Sequence, residues 1–184
     1  MIINCTDFDG LTETLLFILS TAVLGDVVVL DIDATVLFFS PDTSTHPCNA
    51  EVNPRGAAVY NLCIIYNIPV FFVTARLHVL ENIEITRAQL RCLGFDKYVG
   101  LYMRPPHIVG FPAISQYKKT IRQQISRDFN ILLNVGDMWS DLKEVPDEES
   151  MYALHRQSKN QHILFKTDSQ ESALWALKLA ESRD

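Results

Sequence analysis

Apolar residues fall into short blocks along this chain, and the blocks alternate between two periods. Leu11, Leu15, Ile18 and Ala22 recur at helical spacing, and Gly25 closes the helix they predict. Residues 26–31, DVVVLD, are a β-branched run with no polar alternation, the pattern of a strand buried on both faces. Asn53-Pro54 reads as an N-cap followed by Pro at the first helical position, opening a helix to about Tyr66. Pro69 leads into Val70–Val73, a second buried strand, and a helix follows to about Leu93, where Gly94 stops it. A short strand is predicted around Val99–Met103. Ser115 is a candidate cap for a helix with Tyr117, Ile121, Ile125 and Phe129 on one face. Ile131–Val135 is the next buried strand and His162–Lys166 the last. Asp168 and Glu171 form a capping box for a C-terminal helix with Leu174 and Leu177 on its inner face.

Strands alternating with helices over the whole length predict an α/β fold, a doubly wound parallel sheet covered by helices on both faces. In such sheets ligands bind beyond the carboxyl ends of the strands, where the strand order reverses. The 184 residues suit one domain spanning 1–184, since domains usually run to about 100–200 residues. With 16 Lys+Arg against 22 Asp+Glu the net charge is −6, which disfavours a nucleic-acid or anionic-lipid partner, although a local basic patch remains compatible with it. Cys5, Cys48, Cys63 and Cys92 show no C-x-x-C or zinc-like spacing, so reduced thiols in a reducing compartment are expected. The apolar run at 15–25 is preceded by Asp7, Asp9 and Glu13, the wrong charge for a secretory leader. It is also too short to span a bilayer. An intracellular protein with no membrane association is the expectation.

The strand ends carry the chemistry. The first strand closes on Asp31-Ile32-Asp33-Ala34-Thr35, two acids straight after a buried apolar run. Acids are costly there without partners. They read either as a capping turn or as a nucleophile, Asp31, with a general acid/base, Asp33. The second strand ends in Phe71-Phe72-Val73-Thr74-Ala75-Arg76. Thr74 is either a cap or a hydroxyl for a phosphoryl oxygen. The strand at 131–135 runs into Gly136-Asp137-Met138-Trp139-Ser140-Asp141, adding two acids to the same sheet edge. Four converging carboxylates without His or Cys call for a hard divalent cation, Mg2+ rather than zinc, held by Asp31, Asp33, Asp137 and Asp141. Lys118 lies between these strands in sequence; alone it would be an ordinary surface charge.

Taken together, D-x-D-x-T at Asp31–Thr35, Thr74, Lys118 and G-D-x-x-x-D at Gly136–Asp141 make the chain resemble the haloacid dehalogenase-like (HAD) phosphohydrolases. FFVTAR, LGFDKYVGLYMRP, QYKKTIRQQI and NVGDMWSDL make it most similar to the branch of class B/C acid phosphatases and plant vegetative storage proteins. The resemblance implies a Rossmann-like fold and a Mg2+-dependent phosphomonoesterase. Asp31 would attack phosphorus and become an aspartyl-phosphate, and Asp33 would protonate the leaving group and then activate water. Thr74, Ala75, Arg76 and Lys118 would bind the phosphate, with Lys119 as the alternative to Lys118 one register away. Mg2+ would be held by Asp31, the Asp33 backbone carbonyl and Asp137, while Asp141 would orient a metal-bound water or Lys118. Ala34 stands where acid phosphatases often have Glu, and Val36–Phe39 is more apolar than the usual stretch.

Only 38 residues separate Thr35 from Thr74 and 43 separate Thr74 from Lys118. That is room for a loop or flap at about 36–53, but not for a full cap domain. An open site suits a large substrate, or a small-molecule phosphomonoester, a nucleotide among them, covered by a neighbouring subunit in a homo-oligomer. Phe38, Phe39, Met138 and Trp139 flank the acids and either form an apolar wall for a base or belong to the ordinary core. Phosphatase action on nucleic-acid ends or phosphoproteins is the alternative function. A non-catalytic storage or binding protein on the same scaffold is a further one. Arg104 and His107 are candidate phosphate contacts, whereas His46 and Cys48 read as loop residues.

Overall fold

The computed structural model describes residues 2–4, 15–38, 46–142 and 162–164. Six parallel strands, β1 (Ile2–Asn4), β2 (Asp26–Leu30), β3 (Val70–Leu77), β4 (Gly100–Arg104), β5 (Asn130–Gly136) and β6 (His162–Leu164), form one sheet in the order β1-β6-β5-β2-β3-β4. The helices are α1 at 15–20, α2 (Pro54–Ile65), α3 (Leu80–Cys92), α4 (Phe111–Ile125) and the short α5 (Trp139–Leu142). The chain therefore winds outward from β2 through β3 to β4, then crosses back to β5 on the other side of β2. This reversal puts the switch point between the carboxyl ends of β2 and β5.

Alternation along β2 and β3 assigns the two faces. Val28, Leu30, Val70 and Phe72 point into a core shared with Leu15 and Leu19 of α1, Val59, Leu62 and Cys63 of α2, and Leu90 of α3. Val27, Val29, Phe71 and Val73 point the other way, against Ile125 of α4. Every residue of β2 is buried, as its uninterrupted apolar run requires. Full burial of a Val, Leu or Phe side chain is worth roughly 1.5–3 kcal/mol, so this strand is a firm base for the acidic loop that leaves it.

Several local readings hold. Asn53 caps α2, its Oδ1 accepting from the Arg55 N–H at 3.1 Å, with Pro54 at the first helical position. Gly94 takes φ 83° just past α3. Others need correction. Helix α4 begins at Phe111, with Pro112 in its first turn, so Ser115 is a buried helical residue and not the cap. Pro is already suited to a first turn, and the whole segment from Phe111 buries one side toward the sheet. Strand β1 was not anticipated, because three residues carry too little periodicity to register. The expectation of reduced thiols is also overturned for two cysteines. Cys48, in a 3-10 turn over Pro47–Asn49, is disulfide-bonded to Cys92 at the end of α3, with Cα atoms 5.1 Å apart. They are 44 positions apart in the sequence, and only the packing of that turn on α3 brings them together. Cys63 is a buried free thiol, pushed up to about 12 by burial. The capping box at Asp168 and the side chains of Phe39 and Trp139 lie outside the described residues. No described helix is long and apolar enough to cross a membrane.

Candidate active site

Four segments converge at the carboxyl end of the sheet, at 31–34, 74–76, 111–118 and 137–140. The first leaves β2 at Leu30. The Asp31 N–H still donates to the Val135 carbonyl at 2.9 Å, so Asp31 is held in line with the sheet. The chain then turns tightly, with the N–H groups of Thr35, Val36 and Leu37 all donating to the Ile32 carbonyl. Ala34 takes φ 56° to make this turn. The two arms of the segment after it pair at Leu37 and Val52, and the Asn53 side chain donates to the Ala34 carbonyl. Gly56 packs so close to Thr35 that a Cβ there would overlap its carbonyl oxygen.

Asp31 is 6% exposed, Asp141 4% and Lys118 3%. Lys118 Nζ lies 3.1 Å from Asp31 Oδ1 and donates to Asp141 Oδ1. Lys118 projects from the middle of α4, not near its start, and it is Lys118 rather than Lys119 that meets the acids. Gly136 ends β5 directly under Asp141, and a Cβ at that position would overlap the Asp141 side chain. Asp141 Oδ2 in turn accepts from the Met138 N–H at 3.0 Å, and Arg122 of α4 donates to the Ser140 carbonyl at 2.9 Å. Burial lowers the Arg122 guanidinium to about 10, against the opposing pull of Asp141.

One carboxylate oxygen each from Asp31, Asp137 and Asp141 lies within 4.8 Å of the others. One lysine faces three acids, and the pKa directions record the imbalance. Asp31 is pushed well above the usual carboxylate range, first by burial and then by Asp141, with Lys118 pulling the other way. Asp137 is pushed up to about 7 by burial and by Asp141. Burial would lower Lys118, but Asp141 and Asp31 outweigh it and hold the ammonium above its ordinary value. Asp31 Oδ1 meets Lys118 Nζ at 3.1 Å as an ion pair, and that ammonium is shared with Asp141. Oxygen-only donors within 4.8 Å of one another, their burial and the surplus negative charge left by one shared lysine together fit a hard divalent cation.

Asp33 is separate from this cluster. Its carboxylate takes a two-pronged pair from Arg76, Nε to Oδ2 at 2.8 Å and Nη2 to Oδ1 at 2.6 Å. Arg76, expected as a phosphate contact, instead holds Asp33. Thr74 is buried at the end of the inner part of β3, and its Oγ1 accepts from the Arg76 N–H at 3.2 Å. Arg104 is turned to backbone, donating to the carbonyls of Ala75 and Ile108, and so does not face the acids as a phosphate contact would. His46 caps the 3-10 turn, as a loop residue would.

Asp31, Asp33, Thr74, Ala75, Arg76, Lys118 and Asp137 line a common cavity of about 490 Å³. Met138 contributes to its apolar side, as the sequence suggested, together with Phe111 and Ile114 of α4, which the sequence did not single out. Their signal was available, because an apolar pair at i and i+3 on the first turn of α4 faces the same sheet edge as Lys118.

Known proteins resemble this chain in sequence and in fold. A sequence profile of the HAD superfamily, subfamily IIIB (Acid phosphatase), matches residues 49–170. A stem 31 kDa glycoprotein of Glycine max is 28% identical over 136 residues, covering 64% of this chain and 52% of its own length. A stem 28 kDa glycoprotein of the same plant is 27% identical over 135 residues, with the same coverage. The chain thus spans about half the length of these relatives. Among solved structures, a chain of the Pnkp1/Rnl/Hen1 RNA repair complex superposes with a TM-score of 0.58 at 16% identity, covering 77% of this chain and 42% of that one. The D,D-heptose 1.7-bisphosphate phosphatase of B. bronchiseptica, complexed with magnesium and phosphate, gives 0.50 at 14% identity, covering 85% and 99%. At these identities the structural likeness establishes the fold.

Proposed function

This chain belongs to subfamily IIIB of the HAD superfamily, the acid phosphatases, and from that premise we propose that it hydrolyses phosphomonoesters through Asp31. The observation that carries the reading is the buried Asp31 carboxylate at the switch point, 3.1 Å from Lys118 Nζ, in one cavity with Asp33, Thr74 and Asp137. An Asp31 oxygen attacks phosphorus as the ester P–O bond breaks, and Asp33 gives a proton to the departing alkoxide, releasing an alcohol. Asp33 then takes a proton from water as that water attacks the aspartyl-phosphate, returning Asp31 and inorganic phosphate. Lys118 and the Thr74 hydroxyl stabilise the charge on the phosphoryl oxygens, the main requirement of phosphoryl transfer.

Asp31, Asp137 and the Asp33 backbone carbonyl would hold Mg2+, which when bound supplies further neutralisation of phosphoryl charge. Asp141 keeps Lys118 directed at the nucleophile. The apolar side formed by Phe111, Ile114 and Met138 supports an organic leaving group such as an aryl or nucleoside moiety. The Cys48–Cys92 disulfide supports an oxidising compartment over a reducing intracellular one.

The test is turnover of 4-nitrophenyl phosphate with Mg2+ and with chelator. Wild type should depend on the metal. Asp31→Asn should lose at least about 10³-fold in kcat, the scale on which a covalent nucleophile acts, while its thermal midpoint holds. Full activity in that variant would sink the mechanism. No hydrolysis of any phosphomonoester by the wild type would favour a storage or binding role on the same scaffold.

A further inference from the structure

Asp33 does not stand alone in the cavity, and the chain of contacts behind it leads to helix α3. The Arg76 guanidinium uses Nε and Nη2 on the Asp33 carboxylate. Its Nη1 is directed away from Asp33, to Thr86 Oγ1 at 3.1 Å and Gln89 Oε1 at 2.6 Å. Thr86 is 1% exposed, and the two acceptors sit three residues apart on one side of α3, as neighbours on a helix do. A guanidinium is planar and its fork is rigid. Gripping Nη1 from behind therefore fixes the rotation of the plane, and the plane fixes the orientation of the carboxylate on its far side. An arginine held only by Asp33 could swing with it on a flexible stem, or leave it for a phosphate. Here both ends are held.

We propose that Thr86 and Gln89 are positioning residues that act through Arg76 to hold the Asp33 carboxylate in line with the leaving-group oxygen. The proposal rests on the reading of Asp33 as the proton donor of a phosphomonoesterase. Neither α3 residue touches substrate. Their effect should therefore appear where proton donation matters and vanish where it does not.

The experiment compares kcat/KM for phenyl phosphate, whose leaving group needs a proton, with that for 2,4-dinitrophenyl phosphate, whose leaving group does not. Binding of inorganic phosphate is measured alongside. Gln89→Leu, and Thr86→Val as a second variant, should lose about 10–100-fold on phenyl phosphate, part of what a positioned acid contributes. They should stay within about twofold on the dinitrophenyl ester and in phosphate affinity. Gln89→Glu, which keeps an acceptor for Nη1, should restore most of the loss. Equal losses on both esters, no loss on either, or weakened phosphate binding would overturn the proposal; the last would mean that Arg76 serves the phosphate. Failure of the wild type to cleave even the dinitrophenyl ester would instead overturn the phosphatase reading, and the proposal with it.

Discussion

Asp137 lies beside a buried lysine that already serves two other acids, and its elevated pKa has a measurable consequence. Its folded value is about 7, against an ordinary value of 3.8. Between those values the folded protein binds more protons than the unfolded chain, so the metal-free protein should lose stability as pH rises. The stabilisation is complete below about pH 4 and lost as pH passes through 7. Asp31, shifted in the same direction, adds to the effect. A cation needs both groups ionised, so Mg2+ should bind more weakly as pH falls below 7, releasing protons when it does bind. Thermal midpoints from pH 4 to 8, with chelator and with Mg2+, test this. A metal-free midpoint that rises steadily across that range would refute the charge imbalance.

Single residues also explain where sequence reasoning held. Asn53-Pro54 was legible because an N-cap is satisfied within a few residues of itself, and the Oδ1 to Arg55 N–H bond requires nothing distant. Gly136 marked its loop for a reason that only the structure shows, since it lets Asp141 lie back over the end of β5. Arg76, expected as a phosphate contact, is found paired with Asp33. Its partner Asp33 is 43 residues away, and nothing local distinguishes an arginine that binds phosphate from one that binds a carboxylate.

Helix α3 does more at the scale of elements than cover one face of the sheet. Thr86 and Gln89 hold Arg76 from its middle, and Cys92 at its end ties it to the 3-10 turn that comes after the first acidic loop. A disulfide between positions 44 apart restricts the unfolded chain, worth on the order of 2–4 kcal/mol. Replacing Cys48 and Cys92 by Ser should lower the free energy of unfolding by about that amount, read from urea unfolding with the slope fitted separately for each form, because the unlinked denatured chain exposes more surface. An unchanged free energy of unfolding would mean that the pairing contributes nothing to stability. The strands were legible where buried apolar runs extend over four or five residues, as in β2, β3 and β5. Strand β1 was not, for lack of length, and the start of α4 was misplaced because Ser115 imitates a cap inside a helix that begins four residues earlier.

The net charge of −6 acts over the whole molecule. It gives no general attraction to a polyanion, so a phosphorylated oligonucleotide should be cleaved more slowly than the corresponding mononucleotide. The gap should narrow as salt rises and screens the repulsion, since the Debye length falls from about 10 Å at 0.1 M to 3 Å at 1 M. Measuring kcat/KM for the pair across that range decides it, and an oligonucleotide preferred at low salt would point to a basic surface that the overall charge conceals.

Alternating apolar blocks were enough to specify a parallel α/β sheet, because burial on both faces writes itself into contiguous residues. The order of acids, Thr74 and Lys118 along the chain was enough to identify the family, because each group lies in or just past the end of a strand or on a helix beside it. Tertiary packing alone decided which acid meets which cation: Asp31 and Asp141 share Lys118, while Asp33 takes Arg76. It also decided that Cys48 meets Cys92. These pairings depend on the distance between side chains on different elements, and that distance exists only once the sheet has brought the elements together.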